Sequence, residues 1–109
     1  MKFIEVPLFT QLITGLVDDM SYAEFQKELV LQSDKGDVMQ NAGGLRKVRM
    51  RLPGRGKSGS ARVIYLYLER HDVIVFFYVY TKANSENLTA DQLKRLRIAV
   101  AAIKQEFKP

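Results

Sequence analysis

The sequence predicts an α+β fold in which an N-terminal helix pair and a C-terminal helix pack on a small, mostly antiparallel sheet. Three observations predict it. Apolar residues recur at helical spacing between Leu8 and Val30, the period switches to two at Leu45, and a helix-start signature at Thr89 opens the final segment. The chain has 109 residues, 47% hydrophobic and 27% charged, the composition of one ordinary globular domain that buries a core without crosslinks. No repeat, low-complexity tract or long linker divides it, so residues 1–109 read as a single domain.

Residues 2–6 suit a short strand. Pro7 fits the first turn of a helix whose apolar positions are Leu8, Phe9, Leu12, Ile13, Leu16 and Val17, with Gly15 as its weak point. Ser21 and Glu24 form a capping-box pattern, flanked by Met20 and Phe25 at the positions of a hydrophobic staple. They predict a second helix with Tyr22, Phe25, Leu29 and Val30 on its buried stripe. Gly36 and Asn41-Ala42-Gly43-Gly44 break the pattern, which makes residues 34–44 a connecting loop.

From Leu45 onward, Val48, Met50 and Leu52 alternate with Lys47, Arg49 and Arg51, the signature of a half-buried strand with one basic face. Residues 53–60, rich in Gly and Ser, read as a loop. Strands follow at 61–68 and 73–80, joined by the turn Glu69-Arg70-His71-Asp72 as a hairpin. Because Val73 to Tyr80 is apolar on both faces, the second of these strands is expected to be central. Thr89 and Gln92 then repeat the capping box, and Leu88 and Leu93 the staple. Leu93, Leu96, Val100, Ile103 and Phe107 mark the buried stripe of the last helix, while Lys94, Arg97, Lys104 and Lys108 read as its solvated face.

The charge is unevenly placed. Of 17 Lys and Arg residues, seven fall between Val38 and Leu68, a window with no acid; the other ten face all 12 Asp and Glu, so the remainder of the chain carries −2. A local patch of this kind on a slightly acidic protein is the footprint of phosphate binding. Lys47, Arg49 and Arg51 point one way along their strand at about 7 Å per two-residue step, a spacing suited to successive phosphates of an RNA strand.

Several chemistries are excluded or weak. The absence of cysteine removes thiolate metal sites, thiol nucleophiles and disulfides, and suits a reducing cytosol. His71, the only histidine, has Glu69 and Asp72 as mere turn neighbours, so no metal is expected. The longest apolar run, Val73 to Tyr80, is far short of the ~20 residues that cross a bilayer, and Glu5 and Pro7 interrupt any secretory signal. Gly56-Lys57-Ser58 echoes the end of a nucleotide-binding loop, but Arg51 stands where that motif needs its first glycine. RNA cleavage without a metal remains open, because the 2′-hydroxyl beside the scissile phosphate is its own nucleophile. Lys47, crowded by Arg46 and Arg49, can serve as the base or as a plain phosphate contact. Arginines of the patch can stabilise the pentacoordinate transition state.

Gly43-Gly44-Leu45-Arg46-Lys47-Val48-Arg49, Gly54-Arg55-Gly56-Lys57-Ser58-Gly59, Arg62-Val63-Ile64-Tyr65 and the segment from Tyr80 to Thr89 together resemble the HigB branch of the RelE-like toxins of bacterial toxin–antitoxin modules. The resemblance spans residues 43–97 and implies the compact RelE-like fold. It further implies a cytoplasmic, ribosome-dependent mRNA interferase that needs no cofactor and is silenced by a cognate helix-turn-helix antitoxin. Lys47 and Arg49 would match the base and phosphate-binding positions, Arg62 the arginine that stabilises the transition state, and Lys82 the basic residue after the last strand. Arg46, Arg51, Arg55 and Lys57 are the expected contacts to substrate or ribosomal RNA. Leu88 stands in the region where some members carry a tyrosine, which leaves Tyr80 as a nearby candidate for the general acid or simply a packed aromatic. Two rivals remain: a toxin of the same fold that poisons DNA gyrase, and a nucleic-acid-binding module without catalysis.

Overall fold

The β-branched and aromatic residues on either side of Glu69 form the expected hairpin, and the rest of the sheet is assembled around it. The computed structural model of the protein describes residues 1–53, 59–81 and 88–108. Its elements run β1 (Lys2–Glu5), α1 (Pro7–Thr14), α2 (Asp19–Leu31), β2 (Asp37–Val38), β3 (Arg46–Arg51), β4 (Ser60–Leu68), a 3-10 turn (Glu69–His71), β5 (Val73–Thr81) and α3 (Ala90–Glu106). The strands make one sheet in the order β1-β5-β4-β3-β2. Only the β1–β5 pair is parallel; β5–β4, β4–β3 and β3–β2 are antiparallel. β5 is flanked on both sides, which explains a strand apolar on both faces.

Helices cover both faces of the sheet. Phe9, Ile13, Phe25 and Leu29 of α1 and α2 pack with Val48, Met50, Val63, Tyr65 and Phe76 on one face. Val100 of α3, with Leu93, Leu96 and Ile103 beside it, covers Ile64, Leu66, Val75 and Phe77 on the other. One irregularity decides what the second face displays. Ile64 faces Tyr78 but Tyr65 faces Phe76, so Phe77 is an extra residue on β5. Past this bulge the alternation of β5 is reversed: Val79 joins the core under α1 and α2, and Tyr80 joins the face that carries α3.

Three local expectations are corrected. The N-cap of α2 is Asp18, whose carboxylate accepts from the Ser21 N–H at 2.7 Å, rather than Ser21 itself. Aspartate caps as well as serine and lies a full turn closer to the end of α1. Ser21 and Glu24 thus fall inside the helix, and Met20 is 76% exposed, too open for a staple. Val30 is also exposed, leaving Phe25 and Leu29 as the buried stripe of α2. The loop 34–44 contains β2, which pairs Asp37 with Lys47 and Val38 with Arg46. Finally, α3 does not present a wholly solvated basic face: Arg97 donates to the Asn41 carbonyl at 3.1 Å and Lys104 to the Gly43 carbonyl. These two cations pin a segment in which Asn41, Gly43 and Gly44 have positive φ, the turn that feeds β3. The capping box at Thr89 is present as read, with both hydrogen bonds made.

Candidate active site

Strand alternation places the cations. With Val48 and Met50 buried under α1 and α2, Lys47, Arg49 and Arg51 project from the opposite face of β3. Antiparallel register then sets Arg49 directly across from Arg62, Arg51 across from Ser60, and Arg62 across from Tyr80 on the other side. Arg49, Arg62 and Tyr80 therefore form one row over three strands, with Lys47 one step along beside Ile64. Two arginines directly opposite each other cost a sheet stability. Among the described residues the ion pairs are Met1–Asp72, Lys35–Glu28 and Arg95–Asp91, and none engages this row. Arg62 is half-buried and donates to the Ser60 hydroxyl at 2.9 Å, which fixes its direction along the strand. Cations held together without an ion pair are an arrangement that an anionic ligand would relieve.

Tyr80 is 5% exposed, and its ring lies 5.9 Å from that of Tyr78. Burial pushes the Tyr80 phenol above its ordinary range, while the Arg62 guanidinium pulls it part of the way back. The phenol is thus protonated at neutral pH with a positive charge close by. Two cavities meet at Lys47. One of about 600 Å³ follows the outer edge of β3 beyond the short β2 and is lined by Lys47, Arg49, Arg51, Ser60, Glu28 and Lys35 among others. A second, of about 360 Å³, lies between β2, Tyr80 and the start of α3. Lys47 and Asp37 line both.

Lys47, Arg49, Arg51 and Arg62 are brought together on this face. Arg46 is not. It has the opposite strand parity, and its guanidinium donates to the carbonyls of Gly36 at 2.7 Å and Asp34 at 3.2 Å. It anchors the α2–β2 connection. Arg55, Lys57 and Lys82 lie outside the described residues. Asp37 is what the sequence left without a place, because a two-residue strand has no periodicity to read, and Tyr80, named from the sequence only as a candidate acid or a packed aromatic, reaches the row through the bulge. No group of three or more His, Asp and Glu side chains suited to a metal ion occurs among the described residues.

Comparison with solved structures gives a mutant of the E. coli toxin RelE in the free state as similar in fold, with a TM-score of 0.56 over 90% of this chain and 94% of that one at 13% identity. A family model described as RelE toxin of the RelE/RelB toxin–antitoxin system matches residues 23–108, from within α2 past the end of α3. That stretch holds the whole cationic row and both cavities' Lys47 wall, and the chain belongs to the RelE toxin family.

Proposed function

We propose that the protein is a metal-independent endoribonuclease that cuts mRNA on the ribosome and so arrests translation. The observation that carries this reading is the acid-free row of Arg49 and Arg62, flanked by Lys47 and ending on a protonated phenol. Arg49 and Arg62 clamp the scissile phosphate and stabilise the charge gained in the pentacoordinate transition state. Lys47 takes the proton of the adjacent 2′-hydroxyl, whose oxygen attacks phosphorus. The bond to the 5′-oxygen breaks, leaving a 2′,3′-cyclic phosphate, and Tyr80 supplies a proton to the departing oxygen. The attacking oxygen belongs to the RNA itself, and the Lys47 amine only receives its proton, so no metal-bound water is required as nucleophile. Arg51, with Arg55 and Lys57 by resemblance, holds flanking substrate or ribosomal RNA, and Lys82 adds a further cation by the same resemblance. A helix-turn-helix antitoxin silences the activity, and the site of action is the cytoplasm.

Induced expression tests the reading. The expected result is growth arrest with mRNA 5′ ends phased to the reading frame, and a loss of about 10²–10³-fold in cleavage for Lys47→Ala or Arg62→Ala with retained circular dichroism. Intact mRNA with broken DNA would identify a gyrase poison instead. Unchanged toxicity in both variants would refute the roles of the row.

A further inference from the structure

The smaller cavity beside Lys47 differs in chemistry from the cationic row. It measures about 360 Å³, at the small end of the range for ligand pockets. Val38, Met39, Leu88, Leu93 and Tyr80 give it mainly apolar walls, and Asp37, Gln40 and Lys47 are its polar groups. A phosphate would gain little from such walls, which carry one cation, Lys47, where the larger cavity carries Lys47, Arg49 and Arg51. A nucleobase fits them: its two faces are apolar and its edge alone is polar.

We propose that this cavity seats one base of the RNA next to the scissile phosphate, and that Asp37 and Gln40 read its Watson–Crick edge in favour of guanine. The assignment rests on the RNA-cleavage reading above. Lys47 lines both cavities and Asp37 is its partner across the β2–β3 pair, so a nucleotide with its phosphate against Lys47 has its base within reach of Asp37. A carboxylate only accepts hydrogen bonds. Guanine offers it two adjacent donors, N1–H and N2–H, and leaves O6 for the Gln40 amide. Adenine and cytosine offer one amino group beside an acceptor nitrogen. Uracil sets its single N3–H between two carbonyl oxygens that repel the carboxylate. The order of preference is therefore guanine first and uracil last.

Two measurements decide it. Nucleotide frequencies beside mapped mRNA cuts are expected to favour guanine over uracil by about tenfold at one position in the wild-type protein, and to flatten to within about twofold for Asp37→Asn. Gln40→Leu, a change at another exposed side chain, serves as a second variant and lowers the preference in the same direction. Independently, guanosine 3′-monophosphate titrated into the full chain shifts the methyl resonances of Val38, Leu88 and Leu93, and uridine 3′-monophosphate shifts them at least fivefold less. Equal shifts by the two nucleotides, or an unchanged preference in Asp37→Asn, would overturn the proposal. If the wild-type protein cuts no mRNA but guanosine 3′-monophosphate still moves those methyls selectively, the cleavage reading falls and the base pocket stands.

Discussion

The hydroxyl of Tyr65 donates to the Ser33 carbonyl at 2.8 Å and accepts from the Gly36 N–H at 2.9 Å, joining the end of α2 to the turn before β2. Tyr65 and Gly36 are both buried, so the Gly36 N–H has no water to turn to if the oxygen is removed. Tyr65→Phe is expected to lower stability by ~1–3 kcal/mol with no change in the denaturant slope, as read from urea unfolding. Gly36 shows why the junction is tight: a Cβ there would lie 2.8 Å from the Tyr65 ring and 3.1 Å from the Lys47 carbonyl. Much at this scale was legible beforehand. The shared direction of Lys47, Arg49 and Arg51 follows from alternation alone, and the same alternation sets Arg46 on the other face. Its carbonyl partners were not legible, because they come from a turn ten residues upstream.

Helix ends show how local signals compete. Thr89 and Gln92 announced the start of α3 because the two groups satisfy each other within one turn. At α2 two cap candidates stood three residues apart, and the carboxylate of Asp18 took the position. Its hydrogen bond from Ser21 holds the carboxyl below its ordinary value of 3.8. A depressed carboxyl stabilises the folded state above the unfolded value and loses that contribution as pH falls through the folded one. Asp18→Ala is therefore expected to unfold at lower urea than the wild type at pH 7, with the gap closing as pH drops below about 3.8. Ser21→Ala should leave the midpoint nearly unmoved. β2 escaped notice for a different reason: two exposed residues carry no pattern, and only pairing with Lys47 and Arg46 defines them.

Across the whole molecule, a sheet covered by helices on both faces leaves one patch uncovered, and that patch gathers the described cations of the basic window other than Arg46. Binding of single-stranded RNA to it should follow counterion release, with a slope of about −0.7 in log K against log salt for each phosphate neutralised. For Lys47, Arg49, Arg51 and Arg62 the expected slope is about −3, and Arg49→Ala should flatten it by about 0.7, measured by fluorescence anisotropy across a potassium chloride series. The hairpin, the C-terminal helix and the patch were all readable from period and charge. The assembly of the row was not, because it depends on register between strands.

That dependence is concentrated at Phe77. Were the bulge ironed out with the sequence unchanged, so that Phe77 took the place of Tyr78 opposite Ile64, Val79 would swing toward the guanidinium of Arg62 and Tyr80 would be driven into the oily interior beneath the first two helices. Such a slip alters no charged group, yet it would disarm the toxin by exchanging inside for outside over four positions, a fault that an inventory of polar side chains would never detect.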